Sequence, residues 1–242
     1  MPLIKLDAID STNDYLKQLA KERNVENYTI VLANEQTKGK GQMGAQWVSE
    51  IGKNLTMSVL VKNLSLKMIS IFDFNIAVAM AMVNTLEFNS VPNVKLKWPN
   101  DIMADSKKVG GLLIENIFMS NDGFTAVVGL GLNLNQTNFE HLPQASSLTC
   151  IMNTTFDIEK VALTFVEMVQ KQLDLLPQNK NNLWEEYNKL LFKKGTPVVF
   201  EAKSGKRFMG IIQNVNQTGK LEVLLEDDSI SQFEVKEIKM LY

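Results

Sequence analysis

One cysteine and one histidine stand among 242 residues, and each scarcity excludes a class of chemistry. Cys150 has no partner for an internal disulfide, and with His141 it cannot complete a Cys/His zinc cage. His141 lies in Glu140-His141-Leu142-Pro143 with no nucleophile-elbow pattern nearby, so a Ser-His-Asp or Cys-His arrangement lacks its base. A Walker phosphate loop is missing too: Gly39 and Gly44 have its spacing, but Ala45 and Gln46 follow where Lys and Ser or Thr are required. If the chain is an enzyme, its nucleophile belongs to the substrate. Charge of one sign is also lacking, with 25 basic against 27 acidic side chains. A general nucleic-acid binder or basic membrane-surface protein is excluded, while a local basic loop stays open. The longest apolar stretch, Met68 to Phe88, is interrupted by Asp73, Asn75, Asn84 and Glu87 and reads as a buried helix rather than a span of roughly 30 Å of hydrocarbon. Met1-Pro2-Leu3-Ile4-Lys5-Leu6-Asp7 lacks the pattern of an export signal, so cytoplasmic placement is expected.

What is present is a globular composition, 45% apolar, long enough for one core and a small second domain of about fifty residues. Leu3 to Ile9 reads as a strand, and Ser11 with Asp14 three residues on marks the start of an amphipathic helix to about Arg23. Tyr28 to Ala33, Leu55 to Val61, Val94 to Trp98, Val109 to Phe118 and Phe124 to Leu134 read as strands, the last two joined across Ser120-Asn121-Asp122-Gly123. Val161, Phe165, Val169 and Leu173 share one face of a helix over Asp157 to Leu176, and a shorter helix follows over Asn181 to Leu191. After Gly195 the texture changes. Short β-rich runs alternate with Lys203-Ser204-Gly205, Gln217-Thr218-Gly219 and Asp227-Asp228-Ser229, which suggests a small barrel.

Three segments could carry chemistry. Gly39-Lys40-Gly41-Gln42-Met43-Gly44 fits the letters of a dinucleotide loop, but a strand rather than a helix follows; it is either a surface loop or a mobile flap bringing backbone N–H groups and Lys38 and Lys40 to a phosphate. Lys97-Trp98-Pro99-Asn100-Asp101-Ile102 places a cation, an amide and a carboxylate within one turn. Lys108-Val109-Gly110-Gly111 and Gly129-Leu130-Gly131-Leu132-Asn133 put paired glycines inside strands, where a ligand or another backbone can approach closely. Each has a purely structural reading as well. Together they suggest one cleft.

In this order, Asp10-Ser11-Thr12-Asn13, Gln36, Trp47, Lys97 to Asp101, Lys108 to Gly111 and Gly129 to Asn133 resemble the biotin–protein ligases that modify carboxylase carrier domains, over essentially the whole chain. The resemblance implies an α+β fold, a mixed central sheet with helices packed on one side as in class II synthetases, then a small SH3-like β-barrel. The corresponding division is residues 1–194 and 195–242. It implies activation of biotin by ATP and Mg²⁺ to biotinyl-5′-AMP, release of pyrophosphate and transfer to a carrier lysine. Lys108 and Lys40 would be catalytic, holding carboxylate and phosphates. Ser11, Thr12, Asn13, Gln36, Gly110 and Gly111, with Lys108, would bind biotin. Gly39, Lys40, Gly41, Gln42, Gly44, Trp47, Lys97, Asn100 and Asn133 would bind ATP or the adenylate, and Asp101 would help organise Mg²⁺.

Relatives often carry several arginines in the glycine-rich loop, whereas Lys40, Gln42, Met43 and Ala45 stand here. Faster escape of the adenylate is the expectation. Some relatives also carry an N-terminal DNA-binding domain; here the ligase motifs begin within ten residues of Met1, so a ligase without nucleic-acid partner or membrane attachment is expected, monomeric or a weak homodimer. The rivals are a lipoate or octanoyl ligase or transferase of the same fold, and a non-catalytic biotin sensor. Trp98-Pro99, the glycine-rich loop and the C-terminal barrel argue against the first. Retention of Lys40 and Lys108 argues against the second.

Overall fold

In the computed structural model, which describes residues 1–119 and 122–242, alternating apolar residues build a seven-stranded sheet. Its strands are β1 (Leu3–Ile9), β2 (Ile30–Gln36), β3 (Leu55–Ser65), β4 (Lys95–Lys97), β5 (Asp101–Ala104), β6 (Lys107–Phe118) and β7 (Gly123–Leu132), in the order β1-β2-β3-β7-β6-β5-β4. β1 and β2 run parallel and every other neighbouring pair is antiparallel, so the sheet is mixed. Ser120 and Asn121, the first half of the expected β6–β7 turn, lie outside the described residues.

Strand periodicity sorts side chains onto two faces. Leu55, Met57, Val59 and Val61 of β3 join the main core with α2 (Ile71–Phe88) and α4 (Ile158–Lys189), which pack on each other. Leu60, Val31 and Val127 point the other way, where Leu16 of α1 (Thr12–Glu22) covers them. This corrects the expectation of helices on one side only. β2, β3 and β7 are buried on both faces over much of their length, and the second face also needs a cover.

Local signals explain the helix ends. Ser11 caps α1, its side chain accepting from the Asp14 N–H, and Ser70 and Asp73 form a reciprocal capping box on α2. α2 is long and apolar enough to cross a membrane, yet 61% of it is buried within the fold. The two helices expected between residues 157 and 191 are one element broken near Pro177, with Asn179 non-helical at φ −126° and ψ 18°. Proline supplies no N–H to the ladder, and the break follows it. β5 and the short α3 (Leu148–Met152) were not anticipated; four or five residues carry too little periodicity to be seen.

Asp73 fastens α2 to α4. It is buried, and its carboxylate receives Lys180 Nζ at 2.7 Å, Trp184 Nε1 at 2.8 Å and the Ser70 N–H at 2.8 Å. Burial alone would push its carboxyl up, but the donors of Lys180, Trp184 and Ser70 outweigh that and hold it below its ordinary 3.8. Asp73→Ala is expected to lower unfolding free energy by about 2–3 kcal/mol in urea melts, because it strands a buried indole N–H and undoes the cap. A depressed carboxyl stabilises the fold above its unfolded pKa and ceases to as pH falls through the folded one. The stability gap between wild type and Asp73→Asn should therefore close as the pH drops below 3.8.

The remaining strands, β8 (Pro197–Ala202), β9 (Arg207–Val215), β10 (Leu221–Leu224), β11 (Ile230–Phe233) and β12 (Ile238–Leu241), form a second, antiparallel sheet in the order β11-β10-β9-β8-β12. Its first three connections fall on the expected turn segments, where Gly205, Gly219 and Asp228 adopt positive φ. The two sheets meet along a seam. Trp98 Nε1 donates to the Gly219 carbonyl at 3.0 Å, and a Cβ on Gly219 would lie 2.1 Å from the Phe72 ring.

Candidate active site

A cavity of about 710 Å³ lies between the seven-stranded sheet and the second sheet, with the start of α1 and the glycine-rich flap on its other sides. At one end the polar side chains that line it, Ser11, Thr12, Asn13 and Gln36, are neutral and already arranged. The Thr12 N–H and hydroxyl both donate to Gln36 Oε1, at 2.8 and 3.0 Å. Ser58 Oγ, fully buried on β3, sits 2.6 Å from Asn13 Oδ1 and 2.7 Å from Thr12 Oγ1. Asn13 Nδ2 donates to the Leu113 carbonyl and to Glu115. Gly129 is required here, since a Cβ on it would fall 2.5 Å from Asn13 Oδ1. Ser58 and Glu115 escaped the sequence reading; a hydroxyl inside the apolar run Leu55 to Val61 was the available signal.

The flap closes on itself. Gly41 N–H bonds the Ala45 carbonyl at 2.7 Å, Trp47 N–H bonds the Gly39 carbonyl at 2.9 Å, and a single 3₁₀ turn spans Gln42–Gly44. No helix follows, so the dinucleotide-loop reading has no helix N-terminus to hold a pyrophosphate. Lys40, Gly41, Gln42 and Trp47 line the cavity; Gly39 and Gly44 do not. A Cβ on Gly39 would meet the Trp47 carbonyl at 2.3 Å, so that glycine serves the closure of the loop. Lys40 Nζ is bonded to Asp14 on α1. That contact holds the Asp14 carboxyl below the usual range, against burial and with help from Lys17.

The cationic end is built on β4, β5 and β6. Register pairs Lys97 with Asp101, and Asp101 Oδ2 receives Lys97 Nζ at 2.9 Å while Oδ1 receives Lys108 Nζ at 2.5 Å. Asn100 ties this turn to β6: its Nδ2 donates to the Leu112 carbonyl at 2.7 Å and its own carbonyl accepts the Leu112 N–H. Gly111 faces the cavity, and a Cβ there would touch nothing closer than 3.6 Å. Gly110 instead backs onto the Gly131 carbonyl, 2.7 Å from its would-be Cβ, and does not line the cavity. Asn133 is also off the wall. It donates to the Ser146 carbonyl at 3.0 Å and helps hold residues 144–147 beside Lys108, whose N–H bonds the Gln144 carbonyl.

Asp101, expected to help organise Mg²⁺, is already paired on both sides. Its two oxygens are engaged by the ammonium groups of Lys97 and Lys108, so an ion arriving with phosphates would have to share it with them. The sequence reading also missed the wall supplied by the second sheet, which includes Phe200, Lys203, Lys239 and Met240. Strand alternation cannot say what lies across a seam.

A mixed sheet that gathers a glycine flap, a neutral polar cluster and paired lysines around one cavity has the equipment of an enzyme joining a small carboxylic acid to an acceptor through a phosphorylated intermediate. The chain belongs to the Biotin/lipoate A/B protein ligase family, which residues 6–133, more than half of its length, match. It is similar to the bifunctional ligase/repressor BirA of Escherichia coli, 24% identical over 231 residues that cover 93% of this chain and 69% of that protein. It also resembles the biotin–[acetyl-CoA-carboxylase] ligase of Mycobacterium tuberculosis, 26% identical over 215 residues that cover 87% of this chain and 79% of the other. Among solved structures it superposes on the biotin protein ligase from Aquifex aeolicus in complex with biotin and ATP with a TM-score of 0.79, at 26% identity, over 99% of this chain and 98% of the other.

Proposed function

We propose that the chain is a biotin–protein ligase that converts biotin and ATP to biotinyl-5′-AMP and then biotinylates a lysine of a carboxylase carrier domain. The observation that carries this is the single cavity with a neutral polar end and a cationic end, in a chain alike along nearly its whole length to a ligase holding biotin and ATP. A ureido ring offers one carbonyl and two N–H groups, and Ser11, Thr12 and Gln36 supply complementary partners at the cavity edge. In the first step a biotin carboxylate oxygen attacks the α-phosphorus and pyrophosphate leaves. Two anions must approach, so fixed cations lower the barrier, and Lys108 and Lys97 are held at the spot by Asp101. Lys40 exchanges Asp14 for phosphate, and Trp47 stacks on adenine. In the second step the carrier amine attacks the acyl carbon and AMP leaves. Mg²⁺ arrives with ATP as part of the substrate. Residues 1–194 form the ligase domain and residues 195–242 an SH3-like barrel that roofs the cavity, in a cytoplasmic enzyme that is monomeric or weakly dimeric.

Mg-ATP, an apo carrier domain, and either biotin or lipoate separate the readings by mass gained on the carrier lysine. Biotin addition is expected. Lipoyl addition, or binding without modification, would overturn the proposal. Gln42→Arg adds a cation to the cavity wall and is expected to slow biotinyl-AMP dissociation about tenfold, the worth of one charge-assisted phosphate contact. Stopped-flow release rates equal to wild type would remove the flap from adenylate retention.

A further inference from the structure

Tyr242 follows β12 and does not line the cavity, yet two separate paths lead from it to Lys108. Through side chains, Lys97 Nζ sits 5.2 Å from the centre of the Tyr242 ring and 2.9 Å from Asp101 Oδ2, while Asp101 Oδ1 receives Lys108 at 2.5 Å. Through the backbone, the Tyr242 carbonyl accepts from the Gln144 side chain, and the Gln144 carbonyl accepts from the Lys108 N–H at 2.8 Å. The ring is itself held, packed edge to face on Phe192 at 5.2 Å between centroids, and β12 is zipped to β8 as far as the Leu241–Val199 pair. Burial and the neighbouring Asp101 charge both raise the Tyr242 phenol.

Lys97 has little freedom here, being only 17% exposed with the carboxylate on one side and the ring face on the other. A flexible ammonium between two fixed partners keeps one position, and a cation so placed loses less on meeting a developing charge. We infer that Tyr242 is a positioning residue for the Lys97–Asp101–Lys108 cluster, through which the second sheet sets the geometry of the cationic end of the cavity. The inference rests on the ligase reading only for its kinetic consequence. The positional claim stands apart from it.

Tyr242→Phe keeps the ring face, whereas Tyr242→Leu keeps apolar volume against Phe192 and removes it. In biotin-dependent ATP–pyrophosphate exchange, Tyr242→Leu is expected to lower kcat about tenfold with biotin affinity unchanged, and Tyr242→Phe to restore it. In a Lys97→Met background, Tyr242→Leu should cost nothing further, because the two act through one contact. The second measurement needs no turnover: acylation of Lys97 by a soluble anhydride, read by peptide mass, should quicken severalfold in Tyr242→Leu and stay at the wild-type rate in Tyr242→Phe. An inactive wild type would refute the ligase reading and leave Lys97 labelling to decide the positional claim. Equal kcat and equal labelling in wild type and Tyr242→Leu, additive losses with Lys97→Met, or no rescue by Phe would each overturn the inference.

Discussion

Lys108→Ala is expected to abolish biotinyl-AMP formation, with a fall in exchange rate of about a thousandfold and no loss of fold, as when a group acting only on a developing charge is removed. Lys108 projects from β6 with its side chain 36% exposed and holds no part of the core. Its removal changes the site in two ways. A cation facing the reacting oxygens is lost, and Asp101 Oδ1 is freed to repel the carboxylate and phosphates that must meet there. Both act on the charged transition state, so kcat should fall far more than biotin affinity. The checks are exchange kinetics, calorimetric titration with biotin and a thermal melt. Activity within tenfold of wild type would remove Lys108 from the chemistry.

Gly131→Ala is expected to raise the KM for ATP about tenfold while leaving biotin binding near wild type. A Cβ at Gly131 would lie 2.5 Å from Trp47 Cε2, and an indole cannot yield by a rotamer adjustment of its far end. The ring must leave the wall, and the loss should match the ~1–3 kcal/mol that a base–aromatic stack contributes. Gly131 lies opposite Gly111 in the β6–β7 register, but the ring sits against Gly131 alone. Gly111→Ala is the informative companion, since its Cβ has room in the protein and would project toward ligand space instead. A wild-type KM in Gly131→Ala would show that Trp47 takes no part in holding the nucleotide.

What could be read from the sequence follows the range of the interaction responsible. Ser11 with Asp14 and the turn at Gly219 are local patterns, and the structure places a helix start and a hairpin turn there. The grouping of Thr12, Gln36, Lys40, Trp47, Lys97 and Lys108 around one cavity followed from ordered motifs rather than from any physical pattern in the chain. Finer roles were not visible. Gly110 and Gly111 are adjacent and identical in type, yet one backs onto a carbonyl and the other opens on the cavity, because successive strand residues point to opposite faces. The sequence does not show that Lys97 and Lys108 flank Asp101 on both sides, since Lys108 reaches it only through the β5–β6 pairing. Lys203 and Lys239 reach the cavity only because β8 and β12 are docked against the first sheet, a relation spanning more than a hundred residues from Thr12.

The cavity draws its floor from one sheet and part of its rim from another, and this divides its evolution between two stretches of chain. Thr12 is bonded to Gln36, Thr12 and Asn13 both meet Ser58 of β3, and Asn13 reaches β6, so changes there are judged together. Phe200 and Met240 belong to the hydrogen-bonded register of the second sheet, and the Lys203 N–H donates to the Glu237 carbonyl there. Exchange of the second sheet with a relative's would thus re-tailor the mouth of the cavity and leave the recognition of its innermost ligand group as inherited.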